Sequence, residues 1–99
     1  MREVSSSDLL RWRSLDSALV LQAIAEHSKR DRTYEPTKDN QSSRWHASVN
    51  GADFELLLTG VKFWDCRALK GGGGAIDMVM HLAGVNFRAA SQLLTAKGL

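Results

Sequence analysis

The chain has 99 residues, 43% of them hydrophobic and 24% charged, with 13 Lys and Arg against 11 Asp and Glu and a formal charge of +2. That length suits one domain with one modest core and leaves no room for a deep cleft between domains, and the composition argues against disorder. The single cysteine, Cys66, excludes an internal disulfide and suits a reducing compartment. No apolar run reaches the roughly 20 residues that span a bilayer, so a soluble, cytoplasmic protein with no membrane partner is expected. The isoelectric point near 9.0 is a weak basic bias. It permits a nucleic-acid or acidic partner without demanding one.

Residues 1–14 are expected to form a flexible N-terminal segment with at most a helical turn over Asp8 to Arg13, and residues 15–99 a single domain. Ser14 is a fitting N-cap for a helix from Leu15 to Ser28. Its Leu15, Ala18, Leu19, Leu21, Ile24 and Ala25 recur at spacings of three and four. Asp31 to Ser43 is polar, contains the only proline, Pro36, and reads as a loop long enough to suggest a functional segment.

A hairpin pattern follows. Trp45, Ala47 and Val49 alternate with Arg44, His46 and Ser48, and Asn50-Gly51 is the preferred dipeptide of a two-residue turn. Such a turn sets Val49 against Ala52, Ala47 against Phe54 and Trp45 against Leu56, one apolar face throughout. A weaker turn at Thr59-Gly60 would set Leu58 against Val61 and Leu56 against Phe63, completing a three-stranded meander that ends near Cys66. The other face then carries Arg44, His46, Ser48, Asp53, Glu55, Leu57, Lys62, Trp64 and Cys66.

Four consecutive glycines, Gly71 to Gly74, read as a hinge or tight turn before a helix. That helix has Ile76, Val79, Met80 and Ala83 on one stripe, and Gly84 stops it. Asn86 is placed to cap a last helix from Phe87 to Ala96 with Phe87, Ala90, Leu93 and Leu94 inward. The fold expected is α+β, a three-stranded antiparallel β-meander packed with about three helices.

Several of these residues could carry chemistry. The glycine run lacks the Lys-Ser/Thr pair of a phosphate-binding loop, and Asp77 in the first helical turn would repel an anion, so a helix cap is preferred there. On the polar sheet face, Trp64 either stacks an unpaired base or lies under a terminal helix. Arg44 and Lys62 beside it suit a phosphate backbone, while Asp53 and Glu55 weaken the field. His46 and Cys66 share that face, but two ligands do not make a structural zinc site. His27 and His81 match no ligand spacing. A Cys66 nucleophile with a His46 base would need a third group to orient the histidine, for which Glu55 is the nearest candidate.

Three stretches together resemble a known family. They are Phe63-Trp64-Asp65-Cys66, then Gly72-Gly73-Gly74-Ala75-Ile76-Asp77-Met78-Val79-Met80, then Val85-Asn86-Phe87-Arg88-Ala89-Ala90 with Leu93-Leu94. The chain resembles the zinc-binding domain of bacterial DNA primases, and more so its degenerate version in primase-like proteins of plasmids and mobile elements. The likeness covers residues 15–96 loosely and 43–94 well. The family's metal is held by C-x-x-H and C-x-x-C. Here the first knuckle falls on Ser43-Arg44-Trp45-His46 and the second on Cys66-Arg67-Ala68-Leu69, so only His46 and Cys66 match ligand positions. Zinc is therefore not expected, and Trp45 and Leu69 would replace the metal by hydrophobic packing.

The resemblance implies a non-catalytic module that binds single-stranded DNA in plasmid or mobile-element replication, alone or beside a primase or helicase. The residues expected to bind are Arg44, His46, Lys62, Trp64, Arg67 and Lys70. The alternative is a protein-interaction or self-association module that kept the fold, with Trp64 and Leu57 docking the partner.

Overall fold

A computed structural model of the chain describes residues 4–36 and 41–99. In chain order it runs α1 (Ser6–Arg13), α2 (Ser17–Ile24), β1 (His27–Asp31), β2 (Ser43–Val49), β3 (Ala52–Thr59), β4 (Lys62–Asp65), β5 (Lys70–Gly73), α3 (Ala75–Ala83) and α4 (Phe87–Ala96). The class is α+β as expected. The described residues, however, hold five antiparallel strands rather than three, in the order β1-β2-β3-β4-β5, and four helices rather than three.

The central hairpin follows its sequence signal. Asn50 and Gly51 both take positive φ, 51° and 80°, as a type I′ turn requires. Val49 faces Ala52, Ala47 faces Phe54 and Trp45 faces Leu56, the register read from the alternation. The next turn falls one residue later than expected, on Gly60 and Val61. Gly60 has φ 58°, a conformation that favours a residue without a Cβ at the first central position of a hairpin turn. Leu58 therefore faces Phe63, and Leu57 faces Trp64. The slip changes the pairing by two residues. An even slip keeps every side chain on its face, so the apolar and polar faces survive it.

The two additional strands lie at the sheet edges. The helix expected to run to Ser28 ends at Ile24, and His27 opens β1, which pairs antiparallel with β2. Beyond Ala25 the chain is polar on every side. It offers no apolar stripe to hold another helical turn on a core, whereas an edge strand needs only one neighbour for its backbone and tolerates charged side chains. At the other edge, the glycines expected to form a hinge instead form β5. A Cβ at Gly71 would come within 2.8 Å of the Phe63 carbonyl oxygen and 2.8 Å of Trp64 Cε3. The bare backbone is what lets β5 lie against β4 with the indole over it. The expected loop at 31–43 gives Asp31 to β1 and Ser43 to β2, and its residues 37–40 lie outside the described residues.

The segment expected to be flexible, 1–14, contains α1. Ser5 caps it: its hydroxyl accepts the Asp8 N–H at 3.1 Å while its own N–H donates to Asp8 Oδ2 at 3.0 Å. A reciprocal cap of this kind stabilises a helix start by about 1 kcal/mol. Ser14, expected to cap the second helix, instead closes the first, and Asp16 stands at the α2 N-cap. Trp12 of α1 is 1% exposed and belongs to the core.

That core lies between the apolar sheet face and the helices. Trp45, Ala47, Val49, Leu56, Leu58 and Phe63 meet Val20 and Leu21 of α2 and Met78, Val79 and Leu82 of α3. The buried stripe of α3 is thus rotated from the Ile76, Val79, Met80, Ala83 set read from spacing. Asn86 caps α4 as expected, accepting the Ala89 N–H at 2.9 Å. Ala90 and Leu94 are buried, but Phe87 at the helix start is 45% exposed, because the inward stripe begins a turn later. No described helix is long and apolar enough to cross a membrane.

Candidate functional site

All the described helices serve one side of the sheet, and among the described residues the opposite side stays open. Strand alternation sends Lys29 and Asp31 of β1, Arg44, His46 and Ser48 of β2, and Lys62 and Trp64 of β4 to that open side. Glu55 and Leu57 of β3 join them. Trp64 is not covered by a helix: it is 42% exposed, with its ring edge over Gly71 and Leu57 as its cross-strand neighbour.

Glu55 governs the electrostatics of this face. Its Oε2 accepts from Arg44 Nη2 at 2.9 Å and its Oε1 from Arg67 Nη2 at 3.4 Å. The Arg44 hydrogen bond above all, then Arg67, holds the Glu55 carboxyl below its ordinary pKa against a small opposing effect of burial. Two of the cations expected to meet phosphate are thus already partnered. His46 Nδ1 lies 4.0 Å from Glu55 Oε1, too far for a hydrogen bond that would orient the ring. Burial pushes the Cys66 thiol up, with Arg44 opposing and Glu55 and Asp65 reinforcing, so it stays protonated and a poor nucleophile at neutral pH.

The knuckle positions do not converge. Ser43 and His46 are three apart on one strand and so point to opposite faces. Ser43 is on the helix side, where its hydroxyl accepts from Trp45 Nε1 at 2.9 Å. Leu69, expected to pack where a ligand would be, is 70% exposed with φ 57°. It sits at a tight turn, where side-chain direction is set by the backbone rather than by burial. Among the described residues, no three of His, Cys, Asp and Glu are grouped to hold a metal ion. Lys70 also departs from expectation. It pairs with Asp65 across β4 and β5, and the alternation puts it on the helix side, away from Trp64. The structure therefore brings Arg44, His46, Lys62, Trp64 and Arg67 to the open side and leaves Lys70 out.

Opposite this face is a polar pair that the sequence reading missed. Asp65 is 3% exposed, and its Oδ2 lies 2.6 Å from His81 Nε2. Its Oδ1 accepts the N–H groups of Arg67 and Ala68, each at 3.0 Å. Burial raises the Asp65 pKa, but the Ala68 N–H, His81 and the Arg67 N–H together outweigh it and hold the carboxyl below its ordinary value. A carboxylate only accepts, which puts the proton on Nε2. The His81 ring lies against Phe63 and Phe54, with centroids 5.4 Å and 6.0 Å away. The pair ties the β4–β5 turn to α3. The available signal was Asp65 itself: alternation places it beside Phe63 on the buried face, and a carboxylate there needs a partner.

Comparison with known proteins adds little. No family model matches the chain, and no solved structure matches it significantly. A stretch of 37 residues is 46% identical to a "65 kDa protein" of Zymomonas mobilis subsp. mobilis, covering 37% of this chain and 6% of that protein. The match shows a shared segment within a much longer chain, and the name states no activity.

Proposed function

We propose that the chain is a non-catalytic module that binds single-stranded nucleic acid on the open sheet face, with Trp64 as the stacking residue. The observation that carries this reading is the exposed indole on a sheet side without helices. The ring meets Gly71 by its edge and is 42% exposed, which leaves aromatic surface on which a base can stack. Lys62 and His46 stand on the same side, and the resemblance to primase zinc-binding domains gives the binding a context: cytoplasmic replication of a plasmid or mobile element, beside a primase or helicase. On this reading zinc is not required, since the apolar sheet face packed against the helices supplies the core and the Asp65–His81 pair ties the β4–β5 turn to α3.

Trp64 is the natural reporter. The protein has three tryptophans, and Trp12 and Trp45 are buried. Titration with labelled single-stranded and duplex DNA should give salt-dependent anisotropy that favours the single strand and quenches the exposed tryptophan. Trp64→Ala should weaken binding by about 1–3 kcal/mol while the protein stays folded. A folded Trp64→Ala protein that binds as well as wild type removes the assignment.

A second reading, a protein-interaction or self-association module, draws on Leu57 beside Trp64 and on the neutralisation of Arg44 and Arg67 by Glu55. Self-association that resists salt, seen in sedimentation, with no DNA binding, would favour it.

A further inference from the structure

Three described cations without an ion pair stand together at one edge of the sheet, while Lys62 and Lys70 lie toward the other. Arg44 and Arg67 are held by Glu55 in the middle of the open face. Lys29, Arg30 and Arg32, by contrast, lie at β1 and the turn after it, all exposed, and none forms an ion pair with a described residue. The one acid among them, Asp31, is turned back on its own loop. Its Oδ1 accepts from Thr33 Oγ1 at 2.6 Å and from the Thr33 N–H at 2.9 Å, with Arg44 and His46 near it. Two adjoining concavities of about 730 and 350 Å³ share Arg30, Asp31 and Arg32 in their walls. The larger also has Lys29 and His46, the smaller Tyr34. β1 is an edge strand, and no further strand among the described residues covers its outer side. Alternation turns Lys29 to the open face next to His46 and Arg30 to the other, and a strand lying over the edge meets both.

We propose that this edge is a phosphate rail. A single nucleic-acid strand with one base on Trp64 crosses the open face and passes over β1, where Lys29, Arg30 and Arg32 contact its phosphates. The inference rests on the single-strand reading above and adds the strand's path and its length. Three strand spacings separate β4 from β1, about 14 Å. At the stacked rise of about 3.4 Å per nucleotide that gap takes about four nucleotides. A dinucleotide on Trp64 cannot reach the rail.

The experiment compares a thymidine dinucleotide with a longer oligothymidylate over a salt series. It uses wild type, the combined Lys29→Gln, Arg30→Gln and Arg32→Gln variant, and Lys97→Gln as a control at an exposed position on α4's end. All three substituted side chains are exposed, and circular dichroism checks that each variant folds. Each lost single-strand phosphate contact lowers the slope of log affinity against log salt by about 0.7, so the combined variant should lose about 2. Its affinity for the long strand should fall, its affinity for the dinucleotide should not, and tryptophan quenching should persist. Wild-type binding with an unchanged slope in the combined variant overturns the rail and leaves the Trp64 reading intact. Loss of the quench in the combined variant also overturns it, because the damage then extends to the face. No binding by wild type removes both.

Discussion

Two carboxylates, one on each face of the same sheet, show how differently the two sides are built. Asp65, on the helix side, is almost fully buried and anchored by two backbone N–H groups and one histidine. Glu55, on the open side, is partnered only by side chains that also reach solvent. Both are held below their ordinary pKa, but by different means. Asp65 relies mainly on fixed backbone donors that outweigh its burial. Glu55 relies on two solvent-reaching arginine side chains, with burial a lesser opposing effect. A ligand can displace or recruit the second set and cannot touch the first. The helix side is therefore framework, and the open side is where an occupant could change the charge pattern.

The largest effect should come from breaking the framework. Asp65→Ala leaves the N–H groups of Arg67 and Ala68 and the half-buried His81 without their acceptor, and should cost about 1–3 kcal/mol in urea unfolding at neutral pH. The pH dependence has a definite sign. The folded pKa of Asp65 lies below an unfolded value of about 3.9, so its contribution is complete above that value and is lost as pH falls through the folded one. Wild type should lose stability in that acid window, and Asp65→Ala should lose less there. Equal acid slopes for the two proteins would show that Asp65 titrates alike folded and unfolded.

An effect no larger should come from the seam where the faces meet. Gly71→Ala drives a methyl against the Phe63 carbonyl and the Trp64 ring, each at 2.8 Å, and backbone has to move. A cost of about 1–3 kcal/mol is expected, with a shift in tryptophan emission as the indole is displaced. Gly73→Ala is the control, since its Cβ would meet only Lys62 Cγ, at 3.7 Å. If the two substitutions cost the same, the close approach of Trp64 to β5 is not what glycine serves at position 71.

The two sides also differed in how far the sequence disclosed them. The hairpin was legible because Asn50-Gly51 and the alternation around it are local signals that agree. The two-residue slip at Gly60 left the faces unchanged because pleat parity tolerates it. The edge strands were not legible: β1 is polar throughout and β5 has three glycines in four residues, so neither shows a period of two. That gap had consequences. Without β5, Lys70 reads as a loop residue near Trp64; without β1, Lys29, Arg30 and Arg32 read as the end of a helix and its loop. The Asp65–His81 pair joins residues 16 apart across a strand and a helix, and only the tertiary packing brings them together. The weakening of the basic face by Glu55 was visible in the alternation. Its capture of Arg67 was not, because Arg67 follows the strand end.

The gentlest substitution tests the open side most directly. Glu55→Gln keeps the size of the side chain and its place on β3 but removes the charge that holds Arg44 and Arg67. Stability should change little, since exposed ion pairs contribute weakly. Single-strand affinity should rise, because two arginines beside Trp64 become free to meet phosphate. The salt slope should steepen by about 0.7 for each arginine that engages, up to about 1.4. The change should vanish in a Glu55→Gln protein that also carries Arg44→Gln and Arg67→Gln. If affinity and slope stay at wild-type values in the single variant, the two arginines are fixed by the sheet rather than by Glu55. Glu55 would then be a passive neighbour instead of the group that limits binding on this face.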